Sequence, residues 1–276
     1  MKKILLPTDF SETSENAFVY AIELAKLFKA ELVLLHTFDL PIVDSQAMPL
    51  NYATIYETIE LTNFEHFRDE MQKLRTIVEQ RKLEHVVMNH ILMDGDLVYN
   101  IKKVIKQENI DFVVMGTKGT TGWLDSFIGT NASAVISDVS VPVLSVPFES
   151  KFKKIETIAF TTRFRKKDME AMHKVLAFAK KVNAKVKCLY VKTEESDVKK
   201  KTITKWESHF EEEKNLEFFI IPSEDVKETI EDFLTGQEIE LLAILTYKRN
   251  FFVELFTTTT TQKLAQHLKT PILVLH

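Results

Sequence analysis

The sequence predicts an α/β protein built from two tandem, doubly wound parallel sheets. Short apolar runs alternate with longer stretches of helical period, which is typical of βαβ units. The length of 276 residues is sufficient for two domains. The pattern of the first part also begins again after Pro147. The domains are therefore predicted as residues 1–149 and 150–276, with a charged boundary near Glu149–Lys153.

Five strands with intervening helices are predicted in the first half. The first helix begins at Ser11, whose hydroxyl can cap it, and Glu12 adds a favourable charge to the first turn. The segment Asp39–Asn63 is interpreted as a solvated loop, with a lid or partner contact as the alternative, and it leads into a helix at Glu65–Arg81. The predicted strands are Lys3–Pro7, Glu31–Thr37, His85–Ile91, Phe112–Met115 and Val143–Val146.

The second half repeats the first without a gap over the first strand, the first helix and the second strand. Phe10 aligns with Phe164 at a separation of 154 residues (164 − 10). At the other end Pro142 aligns with Pro271 at a separation of 129 (271 − 142). The second copy is therefore about 25 residues shorter than the first, and such a period indicates a duplicated domain.

Composition excludes several classes of protein. A net charge of −4 does not give the basic footprint of a nucleic-acid binder. The single cysteine, Cys188, excludes an intrachain disulfide framework, and the apolar run Val186–Val191 around it predicts a buried structural thiol. Neither a signal peptide nor an apolar run of about 18 residues is present. We expect a cytoplasmic protein that has no nucleic-acid or membrane partner.

Motifs for metal binding and catalysis are not found in the sequence. The eight histidines form no HExxH pattern and no paired Cys/His spacing, and there is no GxSxG turn. His36 is interpreted as a core-edge histidine and not as a base. No catalytic residue and no protein-held metal ligand are therefore predicted.

The informative segment is Met115–Ile136, which follows an apolar strand and leads into a helix near Thr130. Four of the six glycines of the chain lie in it. Glycine lets the backbone approach a ligand closely, and the free amides at a helix N-terminus attract anions. The segment lacks both the P-loop pattern and GxGxxG. It predicts a phosphate site, with a simple tight turn as the alternative; its glycines are Gly116, Gly119, Gly122 and Gly129.

Two motifs resemble those of a known family, the universal stress proteins. The spacing GxxG, nine residues, then G[ST] resembles their ATP-binding signature, and Leu6–Ser11 resembles their opening strand and turn. The resemblance covers all five strands of the first half and extends more weakly over the second. The signature residues are Gly116, Gly119, Gly129 and Thr130.

The resemblance implies a Rossmann-like five-stranded parallel sheet of order 3-2-1-4-5, with ATP or AMP across the carboxyl ends of the first and fourth strands. It implies that Asp9 faces the adenine or ribose, that Pro7 and Thr8 shape the wall, and that Thr37 offers backbone contacts to the base. Mg²⁺ would arrive with the phosphates. The remaining implied nucleotide-binding residues are Met115, Gly116, Gly119, Gly129, Thr130 and Asn131. Two departures stand out, because Thr37 replaces an aliphatic residue and Asn131 a small one.

The same comparison predicts a second copy without nucleotide. Asp9 aligns with Arg163, and three glycines are replaced by larger residues, since Gly116, Gly119 and Gly129 align with Thr246, Arg249 and Thr258. β-Branched residues resist positive φ. The hydroxyls of Thr257–Thr261 remain as an alternative way to bind an anion.

The sequence supports two functional hypotheses. The first is a nucleotide-dependent stress-response protein that acts on a protein partner; no base is placed for water, so catalysis would be slow ATP hydrolysis at most. The second is a scaffold that needs no ligand. Dimers of the resembling family form through the last strand, so Val143–Val146 and Ile272–Leu275 are expected to pair within this chain as a pseudo-dimer, and a homodimer is a further option.

Overall fold

The computed structural model describes residues 1–40, 52–117, 130–246 and 269–276, without the side chains of residues 52–56 and 130. These residues divide into two compact units, Met1–Gly116 and Thr117–His276. The boundary predicted at residues 149 and 150 rests on the sequence repeat and stays a prediction. Ten strands and seven helices lie within the described residues.

The first unit contains a parallel sheet of strand order β3-β2-β1-β4. Its central strand β1 is buried on both faces, with Ile4, Leu5 and Leu6 fully inaccessible, as expected where helices cover a parallel sheet. The elements are β1 (Lys3–Pro7), α1 (Glu12–Phe28), β2 (Glu31–Phe38), α2 (Tyr52–Gln80), β3 (Met88–Asp94), α3 (Leu97–Glu108) and β4 (Phe112–Thr117), whose last residue belongs to the second unit.

Helix α1 begins where the sequence predicts. Ser11 is its N-cap, and the Ser11 hydroxyl accepts a hydrogen bond from the amide of Ser14. The helix ends at Lys29, which adopts a left-handed conformation with φ of 52°. Its buried face packs on the sheet and includes Ala17, Phe18 and Ala21. Capping and apolar periodicity therefore fix this helix locally.

Two predicted elements of the first unit, β3 and the helix α2, have boundaries that are wrong by three or more residues, since β3 also ends at Asp94 and not at Ile91. Helix α2 already begins at Tyr52, so residues 52–63 are helical and not a loop; no glycine or proline interrupts them. Residues 41–51 of the predicted loop lie outside the described residues. Strand β3 starts at Met88 and not at His85, because a turn with a hydrogen bond from the Val86 amide to the Leu83 carbonyl precedes it.

The second unit contains a sheet of strand order β5-β10-β9-β6-β7-β8. Its last five strands reproduce the order 3-2-1-4-5 within the second sequence copy. The elements are α4 (Thr130–Asp138), β5 (Val143–Pro147), β6 (Thr157–Thr161), α5 (Lys166–Val182), β7 (Lys185–Lys192), α6 (Lys200–His209), β8 (Leu216–Pro222), α7 (Val226–Gly236), β9 (Leu241–Leu245) and β10 (Ile272–Leu275). The predicted α/β class with mostly parallel strands is thus confirmed.

The last strands of the two sequence copies pair with each other in this second unit. Strand β10 runs antiparallel to β5, with Val274 opposite Val143 and Leu273 opposite Leu144. Both strands are buried along their whole length. The pairing that the sequence predicts between these strands is confirmed.

Candidate functional site

The first unit gathers several predicted site residues at the carboxyl ends of β1, β2 and β4. Strand β1 lies between β2 and β4, with Pro7 opposite Leu35 on β2 and Leu5 opposite Val113 on β4. The same register places Met115 beside Pro7. The chain passes from β1 to β2 and β3 on one side and then returns to β4 on the other side of β1, so the strand order reverses here. Doubly wound sheets bind ligands at such a topological switch point.

The segment Thr8–Ser14, named here the first turn, connects β1 to α1. The amide of Thr8 donates to the carbonyl of Leu35 at 2.8 Å and so extends the sheet by one residue. The Thr8 hydroxyl accepts from the Phe10 amide at 3.1 Å and donates to the Ser14 hydroxyl at 3.1 Å. Phe10 is thereby held at a φ of 58°, a conformation that non-glycine residues seldom adopt.

Asp9 lies on the exposed side of the first turn. Its Oδ1 accepts hydrogen bonds from the hydroxyl of Ser11 at 2.6 Å and from the Ser11 amide at 3.1 Å. Partial desolvation acts to raise the pKa of Asp9, but the hydrogen bonds to the carboxylate, chiefly those from Ser11, together outweigh it and leave that pKa below its ordinary value. The carboxylate is therefore ionised at neutral pH and is a fixed acceptor at the edge of the sheet.

Gly116 ends the part of β4 that belongs to the first unit, and a side chain there has no room. A Cβ at this position would lie 2.6 Å from the carbonyl oxygen of Thr13, near the start of helix α1. The structure thus accounts for this glycine by close packing between β4 and the α1 backbone, and not by positive φ. A contact with phosphate at Gly116 stays a prediction.

The other predicted site residues are less informative. Thr37 is half-buried near the end of β2, where it lies opposite Met93 of β3. Thr130 and Asn131 are the first two residues of α4 in the second unit, and the side chain of Asn131 is exposed. Gly119 and Gly129 lie outside the described residues.

An aromatic cluster beside the first turn was not predicted. The Phe10 ring lies 4.9 Å from the His36 ring and 5.8 Å from the Phe67 ring, and His36 stacks on Phe67 at 6.2 Å. His36 Nδ1 is 2.8 Å from the Thr8 carbonyl oxygen, which only accepts, so this nitrogen carries a proton. The core-edge interpretation of His36 agrees with this contact, whereas no sequence signal links Phe67 on α2 to the turn.

The second unit holds a cavity that was not predicted from the sequence. Its volume is about 470 Å³. The cavity opens at the carboxyl ends of β6, β7 and β9, which is the switch point of the second copy. Its lining includes Arg163, Arg165, Tyr190, Val226 and Leu245. The repeat alignment could have located it, because Arg163 aligns with Asp9.

A buried carboxylate organises the second turn, the segment Thr162–Asp168 that connects β6 to α5. Asp168 is only 2% exposed. Its Oδ2 accepts from the hydroxyl of Thr162 at 3.0 Å, the amide of Arg163 at 2.7 Å and the amide of Arg165 at 3.1 Å. Burial raises the pKa of Asp168 in spite of these bonds. This side chain takes the place of Ser14 in the first turn.

Metal-binding and membrane-spanning features are not found in the described part of the chain. No group of three or more His, Cys, Asp or Glu side chains there could hold a metal ion. No helix among the same residues is long and apolar enough to cross a membrane. Cys188 is buried, and its burial raises the pKa of the thiol well above the ordinary value.

The fold and the first turn together define a doubly wound α/β protein with a solvent-facing carboxylate at the switch point of its first sheet. The sequence profile described as "Universal stress protein family" matches residues 1–147. Because this match spans more than half of the chain, the protein belongs to the universal stress protein family.

Curated relatives and solved structures agree with this assignment. Universal stress protein MJ0577 of Methanocaldococcus jannaschii is 29% identical over 157 residues, which cover 52% of this chain and 94% of that protein. Universal stress protein YxiE of Bacillus subtilis is 26% identical over 145 residues, which cover 52% of this chain and 97% of that protein. The crystal structure of a universal stress protein from Archaeoglobus fulgidus matches 99% of this chain and 97% of its own, with a TM-score of 0.72 at 17% identity. That last likeness shows a shared fold along both halves.

Proposed function

We propose that the first domain, residues 1–149, binds an adenine nucleotide and that the protein acts as a nucleotide-dependent regulator in a stress response. The observation that carries this proposal is the ionised, exposed carboxylate of Asp9, held by Ser11 at the switch point of the first sheet. An acidic side chain at such a strand end is a common acceptor for ribose hydroxyls in doubly wound proteins.

The residues around Asp9 fit a nucleoside. Thr8 and Pro7 are buried and rigid, since the Thr8 hydroxyl is engaged by Phe10 and Ser14. Their role is to fix the wall against which a base or ribose lies, with the end of β2 at Thr37 beside it. A wall set by backbone and hydroxyl hydrogen bonds loses little entropy when a ligand binds.

The phosphates are assigned to the segment after β4. We propose that the amides of Gly116, Gly119 and Gly129 and the groups of Thr130 and Asn131 bind them, with Met115 at the strand end. The start of α4 at Thr130 supports this, because a helix N-terminus favours an anion. The ligand in this proposal is ATP or AMP, and Mg²⁺ would be carried by the phosphates.

The wider biological context is also proposed. The second domain, residues 150–276, is proposed to be a structural copy that binds no nucleotide. Its strand β10 pairs with β5 in the manner of a pseudo-dimer. A single buried cysteine suits the reducing cytoplasm. The partner is taken to be another protein, and a nucleic acid or a membrane is not expected. A scaffold that works without nucleotide is the alternative.

Thermal denaturation with and without Mg-ATP tests the proposal. A nucleotide that binds only the folded protein stabilises it by mass action, by about 2.7 kcal/mol at a concentration of about 100 times Kd. The melting temperature should therefore rise with Mg-ATP, and the variant Gly119→Arg, which copies Arg249 of the second half, should abolish the rise. AMP measured in parallel ranks the two nucleotides.

The control is Gly236→Arg, the same change at the end of α7, where a Cβ would meet no atom within 4 Å. That variant should keep the full response. Asp9→Arg, which copies Arg163, should weaken the response from the ribose side. If wild-type protein shows no rise at millimolar nucleotide, the nucleotide proposal fails and the scaffold is favoured.

A further inference from the structure

The cavity of the second unit lies where the second copy would be expected to have lost its site. It occupies the carboxyl edge of β6, β7 and β9, and its volume of about 470 Å³ is within the range of small-molecule pockets. The same edge of the first copy carries the predicted nucleotide residues. The sequence thus lost the glycine pattern in this copy, but the structure retains a crevice.

The chemistry of this crevice differs from that of the first copy at two aligned positions. Arg163 stands where the first copy has Asp9, and Arg165 stands where it has Ser11. Both arginines line the cavity. An acceptor for ribose hydroxyls has therefore been replaced by guanidinium groups, which bind carboxylates and phosphates with paired hydrogen bonds.

The remaining walls supply apolar surface. Tyr190 and Leu245 close the inner side and are 4% and 6% exposed, while Val226 and Ile230 line the side formed by α7. An apolar wall next to a cationic group suits a molecule with one charged end and a compact carbon body.

Carboxylates also line the cavity, and they limit the charge of a ligand. Asp168 is already engaged by three donors, and Glu224 accepts a hydrogen bond from the amide of Glu194. Glu195 and Asp197 are exposed, so solvent screens them more than it screens the half-buried Arg163. A single anionic group beside the arginines is tolerated, whereas a chain of phosphates would bring several more negative charges to a lining that already holds four carboxylates.

We propose that this second cavity binds a small organic anion that carries one carboxylate, sulfonate or phosphate group on a compact apolar body. The site is separate from the proposed nucleotide site and does not depend on it. Arg163 pairs with the anionic group, and the Tyr190 side of the cavity packs on the carbon body.

Fluorescence titration of the full chain with 1-anilinonaphthalene-8-sulfonate tests the proposal, because this probe is an aromatic monoanion. Wild-type protein should bind it saturably. In Arg163→Gln the dissociation constant should rise about tenfold, as expected when a charge-assisted hydrogen bond is lost. Arg163→Lys should retain part of the affinity. Benzoate and phenyl phosphate as competitors distinguish a carboxylate from a phosphate group, and Mg-ATP should not displace the probe.

The matched control is Lys180→Gln, which removes one positive charge from the exposed last turn of α5, at the end of the helix remote from Arg163. It should leave the affinity unchanged. Gly119→Arg should lose the response to ATP yet bind the probe normally, so the two proposals fail separately. The proposal is overturned if wild-type protein shows no saturable binding, if Arg163→Gln binds as wild type, or if Gly119→Arg abolishes binding.

Discussion

The two turns that follow the first strand of each copy have the same backbone but place their charges differently. Phe10 and Phe164 both have positive φ, at 58° and 56°, and in each turn a threonine hydroxyl accepts from the phenylalanine amide. In the first turn the carboxylate is the exposed Asp9. In the second turn it is Asp168, which is buried and bonded to three donors of its own turn.

This difference shows that the backbone path of the turn and the charge that the turn presents to solvent are set by different residues. Thr8 and Thr162 fix the path of the chain in the same way in both copies. In the two proposals, the outward residue, Asp9 or Arg163, decides which chemical group each copy binds. If the glycine pattern binds nucleotide as proposed, its loss in the second copy removes that ligand, while the cavity at the second switch point remains.

The sharpest way to break the comparison is to remove the buried carboxylate of the second turn. Asp168→Ala leaves the Thr162 hydroxyl and the amides of Arg163 and Arg165 without their acceptor, and unpaired buried donors are costly. We expect the free energy of unfolding to fall by about 3 kcal/mol. Urea unfolding followed by Trp206 fluorescence measures it in a Trp123→Phe background, since the chain has two tryptophans and Trp206 packs on Phe164.

Asp168→Asn is the control, because it keeps the volume and one acceptor, and it should lose less stability than Asp168→Ala. Its pH dependence follows from the raised pKa of Asp168. Because the pKa of Asp168 is higher in the folded protein than its ordinary value of 3.8, this group contributes stability at pH below 3.8. That contribution is lost as the pH rises through the folded-state pKa. The free energy of unfolding of wild type should therefore rise relative to that of Asp168→Asn as the pH falls toward about 4. An alanine variant as stable as wild type would contradict the role of this carboxylate.

A second test concerns the close packing found at the first turn. Gly116→Ala brings a Cβ to 2.6 Å from the Thr13 carbonyl, so β4 or α1 must shift. Overpacking of this kind should cost about 2 kcal/mol. The aligned position of the second copy is Thr246, which already has a Cβ. Hydrogen exchange of the β1 amides measures the loss, and Gly236→Ala, at an open position, should cost nothing.

Most of the fold was predictable because its signals are local. The strand Lys3–Pro7 and the cap at Ser11 agree with the structure, since an apolar run and a capping hydroxyl act within a few residues. The start of α2 was not predictable in this way. Residues 52–63 are rich in polar and β-branched side chains, and a helix of such composition depends on its context more than on its own propensity.

The site was predictable only in part, for a different physical reason. Asp9 and Gly116 were found from a sequence pattern, but the reason for Gly116 is its contact with Thr13, which is distant in sequence. Phe67 reaches the first turn from α2, and no spacing indicates such a contact. The second cavity was missed because Arg163 was interpreted only as the loss of a nucleotide-binding residue and Arg165 was not considered.

A further test places the carboxylate of the first turn at position 14, where the second turn has its carboxylate, Asp168. Ser14→Asp places a second acid beside Asp9, where the two like charges repel. Combining it with Asp9→Arg recreates the pair Arg163 and Asp168 in the first turn. The double variant should therefore be more stable than the sum of the single changes predicts, by about 1 kcal/mol. Urea unfolding of wild type, the two single variants and the double variant gives this coupling, and additive changes would show that the two turns are not interchangeable.

The smallest expected effect is the contribution of Asp9 itself to stability. Hydrogen bonds from Ser11 lower the pKa of Asp9 in the folded state, although partial desolvation opposes them. A lowered pKa adds stability above the ordinary value of 3.8, and this stability is lost as pH falls through the folded value. Asp9→Asn should thus melt slightly below wild type at about pH 7, and the difference should shrink below pH 3.8. Because the carboxylate is exposed, solvent screening keeps this difference small. A difference that grows on acidification would mean that Asp9 is held as a neutral acid, and it would then be a hydrogen-bond donor and not the acceptor that the nucleotide proposal requires.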